Sequence, residues 1–304
     1  MDNQSLPTEL LRPIIEHLSD HVPSLLSVSL ASPALRVEGQ RLLFRTVALQ
    51  KDKKTHITFL TAITTSSVLA PLVEEYQQVG LLDAEHKQEP LWGLTCRALQ
   101  AMVNLKVFLF RALNGHPSVQ ILQECTFQLE VFRWRSYDDA EQLLKFFISQ
   151  PNLRILRADW KGPELNTSGV CLGLQVLHGN RGTMNRFLPG RSITSLKWSP
   201  DQNESLLNSS IDHLSQEFHR IRFFSFGGQW GRPWLSLVIP HLRALEVFEL
   251  IGLNFHEVRS TFFFFFATTL LISSRSSIGF PTFPNYGCSS FPIHRTAAGV
   301  VYCH

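Results

Sequence analysis

Cysteine is sparse in this chain and follows no spacing that chemistry would use. The five thiols, Cys96, Cys125, Cys171, Cys288 and Cys303, include no close pair and are odd in number. That excludes a zinc ribbon, a Cys-x-x-Cys redox motif and a disulfide framework. Free and mostly buried thiols in a reducing compartment are expected, which means cytoplasm or nucleus. The start, Met-Asp-Asn-Gln, has no basic stretch leading into an apolar one, so no secretory signal is expected. The sequons at Asn166, Asn203 and Asn208 are then read as chance matches.

A large excess of either charge is missing too. A net charge of +3 over 304 residues argues against nucleic acid as the main partner. The apolar run from Phe262 to Ile272 falls short of the ~20 residues a membrane helix needs, so no membrane partner is expected. Catalytic signatures are lacking as well. There is no glycine-rich phosphate loop, no Gly-x-Ser-x-Gly and no His-Glu-x-x-His. His17 and His21 stand one helical turn apart but have no further ligands for a metal. The run His178-Gly179-Asn180-Arg181-Gly182 superficially resembles an oxyanion loop, yet no nucleophile accompanies it, and its glycines are read as a turn. No catalytic residue, metal or cofactor is expected, and the chain is read as a non-enzyme.

What the chain does have is a repeated pattern, apolar-x-x-apolar-x-apolar. It begins at Leu105, Leu129, Leu153, Leu174, Ile193, Ile221 and Leu245, with successive gaps, by subtraction, of 24, 24, 21, 19, 28 and 24 residues. Stretches with helical character precede several triplets, such as 98–103, 118–124 and 138–149. A short strand alternating with a short helix at a near-constant period can wind as a solenoid, each unit burying its apolar face on the next. The segments resemble divergent leucine-rich repeats of the irregular kind that follow an F-box in many fungal proteins. They lack the strong Asn after the strand.

In such strands the residues between the core positions face outward. Arg133 and Arg157 take equivalent places in adjacent repeats, about one strand spacing apart, ~5 Å. With Arg135 and Lys197 they are the candidate substrate-binding residues, a basic strip edged by Val131 and Ile155 that suits an acidic or phosphorylated partner. A plain solvated sheet face is the competing reading.

The amino-terminal segment carries a second pattern. Leu10, Leu11, Ile14, Ile15 and Leu18 fall at amphipathic helical spacing behind Leu6-Pro7-Thr8-Glu9. From Leu6 to Leu49 the chain resembles an F-box, the helical module that docks on the Skp adaptor of cullin-RING ubiquitin ligases. Leu6, Pro7, Glu9, Leu10, Leu11, Ile14, Ile15 and Leu18 match the first helix of that family. Leu25, Leu26, Val28, Ser29 and Ala31 match the second, and Leu42, Leu43, Phe44 and Val47 the closing segment. Two departures stand out: Pro13 falls inside the first helix, where it would kink or delay it, and Leu35 stands where the family often has Trp.

The resemblance implies a substrate-recruiting subunit. Leu6, Pro7, Leu10, Leu11, Ile14, Leu18 and Leu26 would bind a Skp-type adaptor and through it a cullin, and the repeats would take an unknown protein substrate. A leucine-rich-repeat scaffold with merely capping helices is the alternative.

The expected organisation is therefore α/β. A helical F-box-like module spans 1–49, followed by a linker with a degenerate first repeat over 50–92. An irregular leucine-rich-repeat solenoid covers 93–257. The tail, 258–304, is low in complexity. Its five consecutive phenylalanines, Phe262 to Phe266, are what a pyrimidine-rich intron tract would encode, so it is read as a gene-model artefact replacing further repeats, with a real hydrophobic tail that anchors or caps the solenoid as the competing reading.

Overall fold

A computed structural model of the chain describes residues 8–50, 53–79, 90–111, 119–135, 140–160, 167–200, 211–227, 235 and 237–251. The tail from 258 onward lies outside them. So do Leu6 and Pro7.

Three helices open the described chain: α1 (Thr8–Glu16), α2 (Val22–Ala31) and α3 (Pro33–Arg45). Their ends follow from local chemistry. His21 caps α2, its Nδ1 accepting from the Ser24 N–H at 3.2 Å. Ser32 caps α3, its Oγ accepting from the Leu35 N–H at 3.3 Å. Pro33 occupies the first turn of α3, where its missing N–H costs nothing. The Ser32-Pro33 pair is thus a helix start. α1 runs on through Pro13, which sits on its exposed side.

Ile15, Leu25 and Leu42 form the core of this module, with Leu11, Leu18, Val28, Leu35 and Leu43 packed around it. Gly39 lets α2 and α3 approach closely: a Cβ there would clash with Ser29 Oγ. Arg41 reaches Glu38 at 2.7 Å and Glu16 at 3.0 Å, tying α3 to α1. Burial alone would raise the Glu38 carboxyl, but hydrogen bonds from Arg41 and Arg12 outweigh it and hold its pKa below the usual value.

The rest is α/β. Strands β1 (Thr46–Gln50), β2 (Glu75–Val79), β3 (Val107–Arg111), β4 (Val131–Arg135) and β5 (Ile155–Ala158) belong to a first compact unit ending at Gly173. Each lies parallel to the next in chain order. Parallel neighbours need a crossover between them. Here these include α4 (Lys53–Thr65), α5 (Pro90–Ala101), a 3-10 turn at Val119–Leu122 and α6 (Ala140–Ile148). A second unit, from Leu174, repeats the scheme with β6 (Val176–Gly179), α7 (Arg181–Phe187), β7 (Ser195–Trp198), α8 (Ser215–Phe218), β8 (Phe223–Gly227) and β9 (Val247–Ile251). Its strands are parallel too. Among the described residues no helix is long and apolar enough to cross a membrane.

All seven triplets supply strand and core as expected. Every triplet residue is buried except Leu245, which is half-buried. In the first unit Val47, Tyr76, Phe108, Phe132 and Leu156 form one inward row across the five strands. Rings meet along it: Tyr76 stacks on Phe108 at 6.0 Å, and Phe108 lies tilted against Phe132 at 6.1 Å. Such pairs add to area burial.

Two strands were not among the expected triplets. β1 buries Val47 with Phe44 half-buried before it, and β2 buries Val73, Tyr76 and Gln78, so strand and helix occupy part of the stretch read as linker and degenerate first repeat. The run 178–182 also differs from its reading. Gly179 ends β6 as a buried core position, Gly182 lies within α7, and no turn intervenes. Asn180 makes the passage, its Oδ1 accepting from the Thr183 N–H at 3.0 Å as the cap of α7.

Candidate functional site

The amino-terminal module divides the expected docking residues into two groups. Leu11 and Leu18 turn inward and pack on Ile15, Leu25 and Leu42. Leu10, Ile14 and Leu26 turn outward, exposed by 49%, 52% and 53%. The stripe that sequence spacing treats as one face is therefore two. An α-helix advances 100° per residue, so neighbours such as Leu10 and Leu11 diverge when the second meets a core.

The structure adds three exposed apolar residues that the sequence reading did not name: Val22, Leu30 and Val37. Val22, Leu26 and Leu30 recur every four residues on α2, and that spacing was the available signal.

The sheets present ordered rows on their outward faces. In the first unit one row runs Ala48, Gln77, Leu109, Arg133, Arg157. Arg133 and Arg157 are direct partners in register, as expected. Arg135 aligns with Arg111 on the neighbouring strand, one position pair further along. Both members of the central pair are half-buried, and each Nε is enclosed without a hydrogen-bond partner. Burial, followed by the charge of Arg133, lowers the pKa of Arg157.

Lys197 belongs to the second unit, in register with His178 on one side and Ser225 on the other. Two strands over from Lys197, Glu249 accepts from Ser225 Oγ at 2.5 Å.

A further row emerges just before the strands. The carbonyl of Glu74 accepts from the N–H groups of both Lys106 and Val107. Lys106 does the same for Glu130 and Val131, and Glu130 for Arg154 and Ile155. The side chains in this row alternate in sign: Arg45, Glu74, Lys106, Glu130, Arg154. Glu74 lies 3.5 Å from Arg45 and 3.4 Å from Lys106. The second unit has a similar pair in Arg222 and Glu246, at 2.5 Å. A charged residue directly after the first apolar position in five of the seven triplets, Lys106, Glu130, Arg154, Arg222 and Glu246, was the available signal for this row.

Two amides serve the repeats where a strong Asn was missed. Gln150 Nε2 donates to the Phe127 carbonyl at 3.2 Å while its Oε1 accepts from the Leu129 N–H at 2.8 Å. Asn104 donates to the Pro71 carbonyl at 2.8 Å. Both side chains join one repeat to the backbone of the preceding one.

Among the described residues no group of three or more His, Cys, Asp or Glu is arranged to hold a metal. His21 spends its Nδ1 on the cap of α2. The described geometry is thus one of surfaces: an apolar helical face and a sheet face with an arginine pair. Comparison with models of protein families, with curated proteins and with solved structures finds no match.

Proposed function

We propose that this chain is a substrate-recruiting F-box subunit of a cullin-RING ubiquitin ligase. It docks a Skp-type adaptor, and through it a cullin, by α1–α3. It takes a protein substrate on the outer face of a leucine-rich-repeat solenoid. The observation that carries this reading is the outward set Leu10, Ile14 and Leu26, joined by Val22, Leu30 and Val37. The module already has its own core, and yet it leaves large apolar side chains in water on all three of its helices. Surfaces of that kind mark interaction sites. Leu6 and Pro7 complete the expected docking set. The order of parallel strands, each beside its chain neighbour with a helix or turn between, supports the solenoid reading. In this role the chain itself needs no cofactor, and the ligase chemistry resides in other subunits.

One observation favours a second reading, a repeat scaffold unconnected to a ligase. Leu11 and Leu18 serve the module's own core, as capping helices would require. Co-purification of the full chain with a Skp adaptor separates the two. Leu10→Asp with Ile14→Asp should abolish it with little change in melting temperature, because both side chains are already largely in water. Equal recovery of adaptor with the double variant, or none with the unaltered chain, overturns the recruiter reading.

A further inference from the structure

Charge along the strand entries alternates from repeat to repeat, Arg45, Glu74, Lys106, Glu130, Arg154. The outward row breaks that rule. Arg133 and Arg157 are paired in register on adjacent strands, about one strand spacing apart, ~5 Å. Like charges directly opposite one another are destabilising, and an enclosed donor without an acceptor adds to the cost. Both features are present, since each Nε is buried without a partner. Half-buried Leu109, Val131 and Ile155 flank the pair and keep water from compensating fully.

We propose that Arg133 and Arg157 form one anion site, which takes the phosphoryl group of a phosphorylated serine or threonine in an extended segment of a partner protein. A carboxylate carries one charge and would leave one guanidinium uncompensated. A phosphoryl group carries roughly −1.5 to −2 with three acceptor oxygens, enough for both forks. The site lies on an open sheet face. A free phosphate would leave the apolar flanks bare, whereas a peptide covers Leu109, Val131 and Ile155 with its own side chains. Calling that segment a substrate rests on the recruiter reading; the capture of the anion does not.

The test uses the purified full chain and three probes. These are a degenerate phosphoserine/phosphothreonine peptide library, the same library unphosphorylated, and a single-stranded oligoribonucleotide. Selective capture of the phosphorylated library is expected. Arg133→Gln with Arg157→Gln should weaken it by about tenfold or more, the scale of one lost charge-assisted hydrogen bond. The same variant should melt no lower than the unaltered chain, since a like-charge pair has gone; a structural role for the arginines would lower it. Arg157→Lys, which keeps the charge and loses the fork, should fall between. Equal capture of the unphosphorylated library, stronger capture of the oligoribonucleotide, or undiminished binding by the double Gln variant each overturns the proposal. Adaptor co-purification should be unaffected by the Gln pair, so failure here and failure of adaptor docking are read separately.

Discussion

Within the first unit, an imidazole occupies a place where a protonated ring would not survive. His56 is fully buried, with Nε2 2.6 Å from the Tyr76 hydroxyl. That hydroxyl donates to Gln78 Oε1 at 3.1 Å, so the hydrogen between His56 and Tyr76 must come from the ring. Nδ1 is then a bare acceptor, and it has no partner. Burial lowers the His56 pKa to about 4 from its ordinary 6.5. For a base with a depressed pKa the unfolded chain binds the proton more readily. Stability is therefore complete above pH ~6.5 and declines as pH falls toward ~4. Between pH 7 and 5 the decline amounts to about 2 kcal/mol by linkage. Glu38, whose pKa is lowered, loses its contribution only at more acid pH. His56→Gln keeps a donor for Tyr76 and removes the titration. Denaturant unfolding at pH 7 and 5 should show the unaltered chain losing about 2 kcal/mol more than the variant, and parallel losses would remove the argument. Gln78 also shows why β2 is absent from the regular triplets and is read from sequence only as part of a degenerate repeat. It occupies the third core position of its triplet as a polar residue, satisfied in part by Tyr76, and apolar spacing cannot anticipate that.

Single strands and helices gain their order from what stands beside them. The triplets were legible because strand side chains alternate and a buried position demands an apolar residue, as in Phe108/Phe110 or Leu196/Trp198. β1 fits the same pattern through Phe44 and Val47, but those residues were already assigned to the helical module, whose third helix in fact passes directly into the strand. Orientation around α1 was less legible, since only packing decides that Leu11 turns in and Leu10 out. Cross-strand partners were legible where two triplets align, as for Arg133 and Arg157, but not outside the triplets until register was known. The entry row is the example: Glu74 is the acid between Arg45 and Lys106. Exposed pairs of this kind contribute about 0.2–1 kcal/mol each. Glu74→Lys would replace two attractions with two repulsions. It should lower stability by about 1–2 kcal/mol at low salt, with the difference shrinking at ~1 M salt as screening shortens to ~3 Å. A salt-independent loss would mean that the side chain acts through packing instead.

At the scale of the whole molecule, the two proposed surfaces lie on elements with no side chain in common. Leu10 and Ile14 project from α1, whose inner residues meet Leu25 and Leu42. Arg133 and Arg157 project from β4 and β5, whose inner residues are Phe132, Trp134, Leu156 and Ala158. Sites without shared partners should perturb stability additively, to within about 0.3–0.5 kcal/mol. A recruiter needs that separation, because a partner gripped at one end must not loosen the grip at the other. Combining the Asp pair on α1 with the Gln pair on the sheet gives the check. The Asp pair alone should lose adaptor and keep phosphopeptide, and the Gln pair alone should do the reverse. The fourfold variant should lose both while its unfolding free energy equals the sum of the two parents' changes. A coupling of ~1 kcal/mol or more between the pairs, or loss of phosphopeptide binding on α1 substitution, would show that the helical module and the sheet behave as one device and not as two.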